Sequence, residues 1–148
     1  MTTVEILKAH AVQVMRTLGK GHSEKVYHSA MVISLNRKGI LHRSEVTVPI
    51  YFLGECVGFG RADLIVDDIV VEFKANMRPP SSTSPQLQKY LASLTGYEKK
   101  YYLGCVINFS QKTGLIEIFE ERRASPKKRT PVVLPELESL QYTKRRKT

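Results

Sequence analysis

Two short apolar runs, Arg61–Val66 and Ile69–Ala75, flank Asp67-Asp68, and this arrangement constrains the fold more than any other stretch of the chain. Both runs read as strands, and the paired aspartates read as the turn between them. If Asp67 and Asp68 close an antiparallel hairpin, Val66 faces Ile69, Leu64 faces Val71 and Asp63 faces Glu72. Any symmetric longer loop keeps that register. Directly opposed residues hold their Cβ atoms about 4.5–5.5 Å apart, a distance at which like charges destabilise the pair. Two carboxylates set face to face therefore need a compensating cause. Alternation also puts Arg61, Asp63, Glu72 and Lys74 on one face and Ala62, Leu64, Val71 and Phe73 on the other. Two carboxylates with a nearby backbone carbonyl suit Mg²⁺, a hard cation that takes oxygen ligands, and the adjoining Lys74 suits stabilisation of negative charge. The competing reading is a solvated face on which Asp63 pairs with Arg61 and Glu72 with Lys74.

The flanking chain supplies helices. Val4, Leu7, Ala11, Val14, Met15 and Leu18 recur at helical spacing after Thr2 or Thr3 as a cap, and Gly19 and Gly21 end that helix. A second helix is expected from Ser23 to Lys38, with Val26, Tyr27, Ala30, Met31 and Ile33 as core contacts and Gly39 as its stop. The period then drops to two. Ser44–Phe52 reads as a strand in which Pro49 indicates an edge or a bulge, and Gly54-Glu55 turns into Cys56–Phe59. Asn76–Ser84 is a loop, and Pro85–Leu94 a helix with proline in its first turn. Lys100–Phe109 and Gly114–Glu120 form a final strand pair. This order predicts an α/β domain around one mixed sheet, over residues 1–121.

Charge is unevenly placed. The 148 residues carry a net +9, but 122–148 hold nine basic and two acidic side chains, whereas 1–121 hold 14 and 12. A nearly neutral domain is thus followed by a basic, largely irregular tail (122–148) with a weak helical patch at Leu134–Tyr142. Such tails lie on polyanions and release counterions there. Phosphate contact is expected from Arg61 and from Lys127, Lys128, Arg129, Lys144, Arg145, Arg146 and Lys147. Tyr51, Tyr97, Tyr101 and Tyr102 are candidates for base stacking against a core or rim role. Two cysteines, Cys56 and Cys105, without short metal-ligand spacing exclude a disulfide framework and a zinc ribbon. No apolar run reaches membrane-spanning length, and Met1–Glu5 lacks the build of a signal peptide, so an intracellular protein without membrane attachment is expected.

Asp63, eight intervening residues, and then Glu72-Phe73-Lys74 resemble the acid, spacer, E-x-K signature of the PD-(D/E)XK nuclease superfamily. Gly21-His22-Ser23-Glu24-Lys25-Val26-Tyr27 is a literal G-x-x-E-x-x-Y and resembles the GxxExxY branch of that superfamily. Arg61–Val66, Ile69–Ala75, Gln86–Leu91 and Ile107-Asn108-Phe109 are similar to it in order and spacing, so the resemblance covers about residues 4–120. It implies a restriction-endonuclease-like core, a mixed β-sheet flanked by helices. Asp63 and Glu72 would be ligands for Mg²⁺ or Mn²⁺ and Lys74 the catalytic lysine. Glu24 would be a further metal ligand or water-orienting carboxylate, and Gln86 a contact to substrate or to the lysine. Tyr27 is expected to pack. The loop Arg78–Pro85 departs from the family in lacking acidic or histidine residues before Gln86, and the tail is additional.

These features carry two functions of different class. One is a metal-dependent nuclease that hydrolyses phosphodiesters, with DNA the expected partner and a homodimer if both strands of a duplex are cut. The other is a catalytically silent DNA-binding or packaging protein that keeps the fold and holds nucleic acid through its tail. A weaker third is an adaptor whose tail binds an acidic protein. Pro126–Arg129 and Lys144–Lys147 also resemble nuclear-import clusters, which leaves cytoplasm and nucleus both open.

Overall fold

A computed structural model of the chain describes residues 1–98 and 102–121. Its first helix, α1, spans Thr3–Leu18 and opens on a capping box. The Thr2 hydroxyl accepts the Glu5 N–H at 3.1 Å, while the Glu5 carboxylate accepts the Thr2 N–H at 2.9 Å. Two otherwise orphaned helix donors are thereby satisfied. Gly19 (φ 70°) and Gly21 (φ 99°) reverse the chain into α2, Glu24–Arg37. α2 buries Tyr27, Met31 and Leu35, a stripe with a spacing of four, and Ala30 packs beside it. Val26 and Ile33, expected in the core, are 39% and 55% exposed. Their positions fall off the face that α2 turns toward α1 and β3, the neighbours it packs on among the described residues.

Five strands follow: β1 (Arg43–Phe52), β2 (Glu55–Val66), β3 (Ile69–Lys74), β4 (Leu103–Phe109) and β5 (Ile116–Glu120), lying side by side in that order. β3 and β4 are parallel, connected through helix α3 (Pro85–Glu98), and the other neighbours are antiparallel, so the sheet is mixed as expected. β1 is an edge strand, which tolerates the missing N–H of Pro49, and its register shifts between Ile50 and Tyr51. The first hairpin turns on Leu53 (φ 50°) and Gly54 (φ 80°), one residue earlier than expected, with Phe52 paired to Glu55. Positive φ at both turn residues matches the twist of the strands they join. β2 is one continuous strand rather than two, since Gly60 does not break it.

Helices cover both faces. On one, α1 and α2 meet Leu64, Val71, Phe73, Ile107 and Phe109; on the other, α3 packs through Leu87, Leu91 and Leu94 on Val70 and Val106. β3, covered on both sides, is buried at Ile69, Val70, Val71 and Phe73. Such a strand is ordinarily apolar throughout. Glu72 and Lys74 are therefore the anomaly in it. Among the described residues no helix is long and apolar enough to cross a membrane.

Candidate active site

The hairpin register holds at Val66–Ile69, Ile65–Val70 and Leu64–Val71, and there the ladder ends. Asp63 and Glu72 would form the next pair, but the strands part instead. The Asp63 carboxylate accepts the Phe73 N–H at 2.9 Å, standing in for a ladder carbonyl. The expected face-to-face repulsion is thus reduced: Asp63 is held by a backbone donor, and Glu72 by the ammonium of Lys74, 3.2 Å from one of its oxygens. The other Glu72 oxygen is buried and has no hydrogen-bond partner. Ala62 also departs from expectation, since it packs in the α3-side cluster and not with Leu64.

Burial pulls the Lys74 pKa down, but the hydrogen bond and charge of Glu72, then the charges of Glu24 and Asp63, outweigh it and leave the group above its ordinary value. Lys74 is therefore a fixed ammonium at neutral pH, surrounded by three carboxylates. Glu24 arrives as the first residue of α2, where the helix dipole favours an acid. Gln86 arrives in the first turn of α3. That turn is set locally: the Ser84 hydroxyl accepts the Leu87 N–H at 3.0 Å, and Pro85 occupies the adjacent position, where no N–H is needed.

Glu24, Arg61, Asp63, Glu72, Lys74 and Gln86 all line one cleft of about 180 Å³. Arg61 also lies 3.9 Å from Glu45, both exposed. As for metal binding, among the described residues no three His, Cys, Asp or Glu side chains are grouped to hold an ion by themselves, so Glu24, Asp63 and Glu72 do not form a closed cage. Tyr27 is buried, stacks on Phe109 with ring centroids 4.4 Å apart, and donates its hydroxyl hydrogen to the Gly19 carbonyl at 2.7 Å. Tyr102 is buried and accepts from Arg43, which removes it from the stacking candidates, whereas Tyr51 is exposed. Tyr101, the Leu134–Tyr142 patch and the tail bases Lys127, Lys128, Arg129, Lys144, Arg145, Arg146 and Lys147 lie outside the described residues.

Three contributors went unrecognised in the sequence. Tyr90 lines the same cleft; its spacing of four from Gln86, one helical turn, was the available signal. Ser84 carried a capping signal ahead of Pro85. Asn108, paired in register with Lys74, is buried and acts as a latch. Its side-chain oxygen accepts the Asn76 N–H at 2.8 Å, and its amide donates to the carbonyls of Asn76 and Arg78 and to Glu117. The chain leaving Lys74 is thereby tied down immediately after the site.

No curated protein matches the chain. Among solved structures, that of SSO0001 is similar over 86% of this chain and 80% of its own, at 18% identity and a TM-score of 0.37. A family model matches residues 2–118, which takes in α1 and α2, the whole Asp63–Lys74 hairpin, α3 and most of β5. On that match the chain belongs to the PD-(D/E)XK nuclease superfamily.

Proposed function

We propose that the protein is a divalent-metal-dependent phosphodiester hydrolase of the GxxExxY branch, acting on nucleic acid and foremost on DNA. The observation that carries this reading is the buried, unpartnered oxygen of Glu72. A buried acceptor without a partner is costly, and native structures rarely keep one without a reason. Here it sits in a cleft shared with Asp63 and Glu24. The cleft lining contains no histidine or cysteine, so its donors are hard oxygens that suit Mg²⁺ or Mn²⁺. An open arrangement also fits Mg²⁺, which takes one or two carboxylates and completes its shell with water and substrate oxygens.

Asp63 and Glu72 would hold the ion, with Glu24 reaching it from α2. When bound, it supplies water activation and neutralises charge on the phosphodiester. The remaining work belongs to the chain. Lys74, kept protonated by the surrounding acids, offers a positive charge to the phosphate oxygens as negative charge builds there. The hydrogen bond from the Phe73 N–H fixes the orientation of Asp63. Gln86 offers an amide to the bound strand or to Lys74. The tail bases hold phosphates without reading sequence.

A cleavage assay tests this directly. Labelled single- and double-stranded DNA and RNA are incubated with purified protein in EDTA, Mg²⁺ or Mn²⁺. Cleavage is expected only with metal, and a loss of 100-fold or more, roughly, in Glu72→Gln and in Lys74→Met. No cleavage of any substrate by folded protein with either metal would refute the reading. The net +7 of residues 122–148 favours the silent nucleic-acid-binding alternative in that event. Binding would then survive Asp63→Ala and fail on removal of the tail.

A further inference from the structure

The turn between β4 and β5 sets Gln111 against Gly21, 90 residues away in the chain. Its side-chain oxygen accepts the Gly21 N–H at 2.7 Å. Its side-chain nitrogen donates to the Tyr27 hydroxyl at 3.1 Å and to the Phe109 carbonyl at 2.9 Å. Its backbone N–H donates to the Asn76 carbonyl at 3.0 Å. The partners fix the amide's orientation. The Gly21 N–H can only donate and the Phe109 carbonyl can only accept, so reversing the amide breaks both bonds. The one proton of the Tyr27 hydroxyl goes to the Gly19 carbonyl, which leaves that oxygen as an acceptor toward Gln111.

These partners come from both sides of the carboxylate cleft. Gly21 and Tyr27 are the first and last residues of the G-x-x-E-x-x-Y stretch and bracket Glu24. Asn76 stands two residues beyond Lys74. Gln111 thus ties the start of α2 to the chain leaving β3, the two segments that bring Glu24 and the Glu72–Lys74 pair to one cleft. The start of α2 needs such a tie. Ser23 at its N-cap makes no side-chain capping bond, and the link from α1 contains Gly19 and Gly21, both at positive φ. Glu24 is exposed, so its reach into the cleft is set by where its backbone is held. A residue that served only the β4–β5 turn would have no use for bonds to Gly21 and Tyr27.

We infer that Gln111 is a positioning residue, which holds Glu24 in place across the cleft from Glu72 and Lys74. This rests on the hydrolase reading given above and deepens it. Gln111 is not among the residues that line the cleft, so it acts through Glu24. A shift of about 1 Å at a group that orients water or metal lowers turnover by up to roughly 100-fold.

The test uses the full chain and Gln111→Met, which keeps the side chain's length and removes its amide. Tyr27→Phe accompanies it, because it keeps the ring stacked on Phe109 and removes only the hydroxyl that Gln111 reaches. Amide hydrogen exchange without metal reads the position of α2. Exchange at Val26 and Tyr27, whose N–H groups bond the Ser23 carbonyl, is expected to quicken roughly tenfold in Gln111→Met, with the α3 amides unchanged. Tyr27→Phe is expected to act in the same direction. Under saturating Mg²⁺ or Mn²⁺, at a temperature where all variants are folded, kcat is expected to fall about 10- to 100-fold in Gln111→Met with KM near that of wild type. In a Glu24→Gln background the same substitution is expected to lower kcat less than about 2-fold, since the group it positions is already gone. A merely structural role would lower kcat equally in both backgrounds, and that result would overturn the inference. Unchanged exchange at Val26 and Tyr27 in both variants would overturn it as well. The two readings fail separately. Faster exchange with no cleavage by wild type refutes only the hydrolase, whereas cleavage by Gln111→Met at the wild-type rate refutes only the positioning.

Discussion

Asp63 has two tasks that substitution can separate, because its carboxylate both faces the cleft and accepts the Phe73 N–H at 2.9 Å. Asp63→Asn keeps an oxygen for that donor, whereas Asp63→Ala orphans it at a cost of about 1–3 kcal/mol. Denaturant melts are therefore expected to show Asp63→Asn near wild-type stability and Asp63→Ala well below it, with both losing activity. The cysteines give a second residue-level expectation. Burial, with the charge of Glu120 adding to it, pushes the Cys105 thiol from 9.0 up to about 12, while Cys56 is exposed. The fold thus favours the protonated thiol, and this contribution to stability is complete below pH 9 and lost as pH rises from about 9 toward about 12. At pH 8 an alkylating reagent should add once to the native protein and twice after unfolding, as read by intact mass. Two additions to native protein would show that Cys105 is accessible.

At the scale of elements, the sequence carried the hairpin register as far as Leu64–Val71 because apolar alternation is a local signal. It did not carry the parting of β2 from β3 at Asp63. Alternation says which face a side chain takes, but not where a ladder stops. The edge position of β1 was readable from Pro49, and the mixed sheet from the order of elements. The exposure of Val26 and Ile33 was not, because a helix with apolar residues on two stripes does not declare which one finds a partner. Tyr90 on Gly60 was hidden for a related reason: 30 residues separate them, and no local pattern joins β2 to α3. That contact is expected to be strongly coupled. Gly60→Ala should cost about 1–3 kcal/mol by forcing the ring away, and markedly less in a Tyr90→Leu background. A double-mutant cycle by thermal melts measures the difference, and additive effects would show that the ring yields freely.

For the molecule as a whole, the site is an exception imposed on a buried strand. β3 is covered on both faces, yet it presents Glu72 and Lys74 to the α3 side, and the Asn108 latch ties down the chain just beyond them. Asn108→Leu should cost about 2 kcal/mol or more, since it removes a buried donor and acceptor and leaves the backbone of Asn76 and Arg78 without its partner. The candidate residues were readable only as a motif on two strands and two helices; their convergence on one cleft depended on the crossover through α3. Removing residues 122–148, which carry the net +7, should leave the melting temperature of the remainder unchanged and abolish salt-sensitive binding to nucleic acid.

The central claim is that the carboxylates around Lys74 are arranged for a divalent cation, and melting temperature against Mg²⁺ and Mn²⁺ tests it most directly. An ion that binds only the folded state stabilises by about 2.7 kcal/mol at roughly a hundred times its Kd. In a domain of this size that moves Tm by roughly 10 °C. The wild type should show such a rise with at least one of the two metals, and the Asp63→Asn/Glu72→Gln variant should show none. A wild type indifferent to both metals, or an equal rise in the variant, would contradict the claim.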